Sequence, residues 1–216
     1  MPIQPTTNHH HSQIQPNPNP NKSHHSSAPK TLSPTGAKIY TVPTILLPTG
    51  TALSDSLTIA EWAEKTHPTP TLSLPSTPHA LAAQKIATAT LPLIPVFMPL
   101  IPRHLLRPSS IPLFKIARSA RFGMPLDELE ATRGGEQAWQ AAKAGLDDLE
   151  ALMGQWKVDA GPFVLGSEVS YADFVVVAML EGFRRVGEEL FERIVEGREG
   201  LRGVWEACGE WLERDD

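Results

Sequence analysis

Internal disulfide bonding is excluded, because the 216 residues include a single cysteine, Cys208. A lone thiol fits a reducing compartment. No apolar run resembling the core of a secretory signal lies near Met1, and residues 1–37 have neither an acidic nor an aromatic side chain. The expectation is a cytoplasmic protein. Carboxylates are scarce in the first half: residues 1–112 hold 7 Lys/Arg against 3 Asp/Glu, and residues 113–216 hold 12 against 21. Proline is scarce in the second half, since 19 of the 21 prolines fall at or before Pro112. Regular helix is therefore expected to be cleanest after that point. Averaged over the chain, a net charge of −5 and a pI near 5.9 give no electrostatic footprint for nucleic acid or an anionic membrane. Small or neutral partners fit better, and a hydrophobic content of 41% suffices for a real core.

Residues 1–37 are built from Pro, Asn, His, Ser, Gln and Thr. Such a segment buries too little apolar surface to offset its backbone entropy, about 1–2 kcal/mol per residue, so a disordered tail is expected. Its histidines at 9, 10, 11, 24 and 25 have no Cys or acidic neighbour and no scaffold to fix a geometry, so no metal site is expected. The β-branched and aromatic run KIYTVPTILLP (38–48), the Pro48-Thr49-Gly50 turn and Leu53-Ser54-Asp55 predict two strands joined by a tight hairpin. Ser54-Asp55-Ser56 then supplies capping chemistry for a helix that His67-Pro68 stops. The unit is strand, turn, strand, helix.

A proline-rich linker over 68–78 leads into a helix rich in Ala, Leu and Ile, followed by LPLIPVFMPLIPRHLL (91–106). Prolines at 92, 95, 99 and 102 remove backbone donors, which predicts a kinked, partly irregular core segment, too broken to cross a membrane. Beyond Pro112, Trp139, Ala142, Leu146, Leu149 and Leu152-Met153 recur at spacings of three and four, as do Leu201, Val204-Trp205, Cys208 and Trp211-Leu212. Between these stripes FVVVAML (174–180) is apolar on nearly every side, the signature of a central helix. Its start is Ser170-Tyr171-Ala172-Asp173, a capping box, with Val169 and Phe174 placed as a hydrophobic staple. Asp173 is thus expected to be a structural cap, and Cys208, in an apolar stripe, an inert core thiol.

Taken in order, TVPTI (41–45), SDSLTIAEW (54–62), ARFG (120–123), GPFVLG (161–166), SYADF (170–174) and RRVG (184–187) resemble the glutathione transferase superfamily. The resemblance is strongest to the fungal etherase-related class that includes transferase-like proteins of peptide-toxin pathways. It implies a mainly α protein: a disordered tail over 1–37, a partial thioredoxin-like (ββα), glutathione-binding half over 38–74, and an all-helical C-terminal bundle over 75–216. In that family the proline after Val is cis and turns the preceding carbonyl and N–H toward the cysteinyl backbone of glutathione. Val42 and Pro43 match those positions. The γ-glutamyl carboxylate sits at a helix N-terminus, where free N–H groups favour an anion. There Ser56 matches the residue facing the carboxylate, and Asp55 suits the ligand's ammonium group. The plain alternatives are an ordinary turn proline at Pro43 and simple capping by Asp55-Ser56.

The family also carries a strand, helix and strand before the VP strand, with the thiol-activating residue at the start of that helix. Residues 1–37 match none of this, so no residue is assigned to catalysis. Either an upstream segment is missing from the sequence or the capacity to activate the thiol has been lost. The implied partners are glutathione as co-substrate and a small hydrophobic molecule, with a homodimer allowed, and no metal, nucleic acid or membrane. The substrate side is expected near Arg118, Arg121 and Phe122, although a solvated helix face also accounts for the basic residues Arg103, Arg107, Arg118 and Arg121. Two functions compete: glutathione-dependent transfer to, or cleavage of, a hydrophobic electrophile or ether, and a catalytically inactive binding module.

Overall fold

The computed structural model describes residues 42–74 and 78–213, together with the backbone of 31–32 and 38–39. The tail expected over 1–37 therefore lies outside the described residues, apart from one short strand, β1 (Thr31–Leu32). β1 pairs antiparallel with β2 (Lys38–Ile39). A second antiparallel pair joins β3 (Thr44–Leu46) to β4 (Ala52–Ser54), with Thr44 opposite Ser54. The single strand expected over 38–48 is thus split between two separate two-stranded sheets. The tight turn at Gly50 has φ +81, a left-handed conformation that glycine adopts without steric cost. Helix α1 (Ser56–Thr66) follows, completing the ββα unit.

The chain divides into two compact units, residues 1–62 and 63–216. The second is a helical bundle. Its elements are α2 (His79–Thr90), α3 (Ile94–Phe97), α4 (Ile101–His104), α5 (Ile111–Phe122), α6 (Leu126–Arg133) and α7 (Glu136–Gln155). α8 (Tyr171–Val186), α9 (Glu188–Val195), α10 (Glu199–Ala207) and α11 (Gly209–Leu212) complete it. The prolines at 92, 95, 99 and 102 have the expected effect: the chain between 91 and 104 is a single-turn 3-10 helix and two one-turn α-helices. The run from His79 to Phe97 is long and apolar enough to cross a membrane by length and composition alone. In the bundle it packs against α7 and α8, burying Ala82, Ala89 and Leu93. Its contact with α7 is close enough that a Cβ on Gly145 would lie 2.7 Å from the Cα of Ala89.

The periodic stripes meet in one core. Leu146, Leu149, Leu152 and Met153 of α7 and Val176, Val177, Leu180 and Phe183 of α8 join it through α2 and α10, which pack on both helices, with Phe191, Ile194, Leu201, Val204 and Cys208 completing it. Burial pushes the Cys208 thiol up to about 12, and the Asp173 and Glu210 charges add to the shift. A thiol held protonated and sealed from solvent is inert, as its stripe position implied. The first turn of α10 is capped from a distance: Glu150 of α7 accepts the N–H groups of Gly200 (2.8 Å) and Leu201 (2.9 Å).

Candidate functional site

Two helix N-termini carry the residues singled out in the sequence. At the start of α1 the backbone N–H of Asp55 donates to the Pro43 carbonyl at 3.3 Å, and the hydroxyls of Thr44 and Ser54 lie 2.8 Å apart. These bonds bring Val42-Pro43 and Asp55-Ser56, more than ten positions apart in the chain, to one end of the hairpin. The Val42–Pro43 bond is cis, and Val42 is 92% exposed. Asp55 has φ +87, a left-handed conformation uncommon for a residue with a side chain, and it aims its carboxylate along the helix. Its Oδ1 accepts the Thr58 N–H at 3.0 Å and the Thr58 hydroxyl at 3.3 Å. Asp55 is thus a working N-cap. Ser56, the first helical residue, is exposed, and the N–H groups of the first turn have no partner within the helix.

The start of α8 has the same ingredients and the opposite environment. Ser170 and Asp173 are fully buried and form the predicted capping box. The Asp173 carboxylate accepts three donors, each at 2.7 Å: the Ser170 N–H and hydroxyl through Oδ2 and the Val164 N–H through Oδ1. The third bond ties the GPFVLG loop to the helix. With its oxygens held by three protein donors in a sealed site, Asp173 acts as a structural clasp.

One face of α8 is open. Ala178, Met179, Gly182, Phe183 and Val186 form a stripe that faces Thr90 of α2, Phe97 of α3, Ile101 of α4 and Leu105, enclosing a cleft of about 360 Å³. The Phe97 and Phe183 rings meet edge to face at 4.9 Å. Thr90 is the single polar side chain of the lining, and its hydroxyl donates to the Ile86 carbonyl at 2.8 Å, leaving the oxygen free only to accept. The Val186 carbonyl is taken by His104 Nδ1. No ionisable group lines the cleft, so it suits an uncharged, apolar molecule. A Cβ placed on Gly182 would meet nothing within 4 Å, so this glycine keeps one wall open.

The lining of the cleft does not include Arg118, Arg121 or Phe122, the residues expected on the substrate side. They lie on α5, where the Arg118 guanidinium stands 5.1 Å from the Phe114 ring centroid. Arg103 is no freely solvated cation either, since it bridges Asp127 (2.8 Å) and Glu130 (2.6 Å). A second concavity, of about 420 Å³ between α7 and α9, is polar, but its charges are matched internally. There Arg193 holds Glu136, and Asp147 holds Lys143 at 2.6 Å and Arg198 at 2.7 Å, which lowers the Asp147 pKa. Among the described residues no group of three His, Cys, Asp or Glu side chains is placed to hold a metal ion. The cleft left a signal in the sequence: Ala178 and Gly182, small residues one turn apart on an otherwise bulky helix.

A family model of the glutathione S-transferase C-terminal domain matches residues 79–211, well over half of the chain. The chain belongs to the glutathione S-transferase family. It is 30% identical over 191 residues to the glutathione S-transferase-like protein ustS of Aspergillus flavus, covering 81% of this chain and 68% of that protein. The glutathione S-transferase CsGST63524 of Ceriporiopsis subvermispora, solved in complex with glutathione, superposes with a TM-score of 0.72 at 28% identity, over 87% of this chain and 77% of that one. The glutathione transferase GSTFuA2 of Phanerochaete chrysosporium does so with a TM-score of 0.71 at 26% identity, over 87% and 77%. The resemblance read from TVPTI, SDSLTIAEW and SYADF is thereby established for the family and for the helical bundle.

Proposed function

We propose that this glutathione S-transferase family member binds glutathione at the N-terminus of α1 and an uncharged apolar co-substrate in the α8 cleft. The reaction class is attack of the glutathione thiolate on an electrophilic carbon of that co-substrate. A C–S bond forms, the bond from that carbon to its leaving group or ether oxygen breaks, and the departing group keeps the electron pair and takes a proton. The observation that carries the reading is the Asp55 N–H to Pro43 carbonyl bond, which places Val42-Pro43 beside an exposed helix start at Ser56. There Val42 offers main-chain groups to a peptide, and the Ser56 hydroxyl with the N–H groups of Ser56 and Leu57, those that Asp55 does not take, offers an anion site for its carboxylate. Asp55 adds a negative charge for the ligand's ammonium group. A glutathione complex in a relative with this fold supports the same assignment.

The two halves of the proposal are tested separately. Calorimetric titration with glutathione should give saturable binding that weakens in Ser56→Ala. The uncharged fluorophore N-phenylnaphthylamine should bind the wild type and not Gly182→Leu, whose side chain grows into the cleft. Each variant should leave the other ligand's binding unchanged. Conjugation of a chlorodinitrobenzene, followed spectroscopically, then reads the chemistry. Saturable glutathione binding without turnover would support the competing reading, a binding module. No glutathione binding at all would overturn the assignment of Val42, Pro43, Asp55 and Ser56.

A further inference from the structure

Helix α5 is built the wrong way round for a bundle helix. None of its residues is buried. At about 100° per residue, Pro112, Leu113, Ile116, Ala117 and Ala120 fall within one arc of about 140°. All five are exposed, Leu113 at 74% and Ile116 at 69%. Ile111, Phe114, Arg118, Ser119 and Phe122, on the other side, are the half-buried ones. The apolar stripe therefore faces solvent, and Arg121, also exposed, stands about 40° beyond one of its edges.

Charge singles out the same place. Between Glu64 and Asp127 the chain has seven Lys/Arg and no carboxylate. Arg103, Arg184, Arg185, Arg193, Arg198 and Arg202 each hold a carboxylate partner. Among the described residues, Arg107, Lys115, Arg118 and Arg121 enter no ion pair, and elsewhere only Lys65, Arg133 and Lys157 share that state. Cations outside any ion pair, Lys115, Arg118 and Arg121, thus share one helix with aliphatic side chains without cover. Long basic side chains flanking an apolar arc can spread sideways to anionic headgroups while the arc enters the acyl boundary. A second copy docked on this face about a two-fold axis would meet basic side chains with no acid on the helix to oppose them. We propose that the exposed face of α5 docks on an anionic bilayer surface, inserting Leu113 and Ile116 and setting Arg107 and Arg121 against lipid headgroups. The net charge of −5 hides this, because it averages an acidic bundle with one basic, apolar helix.

The test is cosedimentation of the full chain with phosphatidylcholine vesicles, with and without phosphatidylserine. The protein should partition onto the anionic vesicles and be released by salt. Arg121→Ala should weaken partition about fivefold, the effect of one basic residue near such a surface. The pair Leu113→Asp and Ile116→Asp should abolish it while leaving the circular dichroism and melting temperature unchanged, since both side chains are exposed. Failure to sediment with anionic vesicles overturns the proposal. So does a double variant that still binds, which would mean charge alone. A wild-type dimer in analytical ultracentrifugation that the double variant splits, without vesicle binding, would assign the face to a second copy instead.

Discussion

The helix starts at α1 and α8 use the same chemistry, a hydroxyl and a carboxylate beside free backbone N–H groups, and the structure puts them to opposite uses. At α8, Ser170 and Asp173 are sealed, and three short bonds consume the carboxylate. At α1, Asp55 caps one N–H while Ser56 stays in solvent. What separates a clasp from a candidate ligand site is therefore whether donors and acceptors are already satisfied and whether water can reach them, not the residue types. A buried polar group without a partner costs much more than an exposed one, so the two starts should respond very differently to the same substitution.

The largest contrast is expected between the two aspartates. Asp173→Ala strands three buried donors and should cost about 3–5 kcal/mol in urea denaturation, whereas Asp55→Ala should cost about 0.5–2 kcal/mol, an ordinary cap loss. Similar values for both would erase the distinction. Glu181 of α8 sharpens it with an intermediate case: it is nearly buried, but its partners Arg184 and Arg185 remain more than a third exposed. The bonds from Arg184, then Arg185 and Trp205, outweigh desolvation and lower its pKa from 4.5 to about 2. Because the folded value lies below the unfolded one, the stabilisation is fully present above about pH 4.5 and is lost as pH falls toward 2. After allowance for screening at the arginines it should amount to about 1–3 kcal/mol, and Glu181→Gln should flatten the acid limb of a melting-temperature profile by that much. The smallest effect on stability belongs to Ser56→Ala, under about 0.5 kcal/mol. Its glutathione affinity should nonetheless drop about fivefold, the worth of one charge-assisted hydrogen bond. A loss of stability without a loss of affinity would make Ser56 a cap and nothing more.

The bundle was legible because its evidence is local. Stripes at three and four residues, the SxxD box and the proline cluster each act within one or two turns, and each marks an element the structure contains. The hairpin was legible for the same reason, though the run 38–48 read as one strand where the backbone makes two short ones. The apolar cleft left only the spacing of Ala178 and Gly182 in the sequence, because it exists only where α8 meets α3 and α4, some eighty residues earlier. The run FVVVAML, apolar on nearly every side, reads as a central helix surrounded by the others, whereas Ala178 is exposed and Met179 half-buried along the cleft. Arg118, Arg121 and Phe122 rest on the ARFG resemblance and on residue type, and neither says which way a helix is turned. On α5 the turn is the reverse of the usual one, which no count of charges could reveal.

Glu150 gives the bundle an internal clock. The first amides of α10, Gly200 and Leu201, are held by a side chain fifty residues earlier in the chain and not by a neighbour. Their hydrogen-exchange rates therefore report whether α10 is docked on α7, independently of whether α10 is helical. If α10 peels away as a unit, these two amides will exchange together and faster than those in the middle of the same helix. If it comes off only when the whole bundle opens, they will be among the slowest exchanging amides in the helix, though they stand at its frayed end.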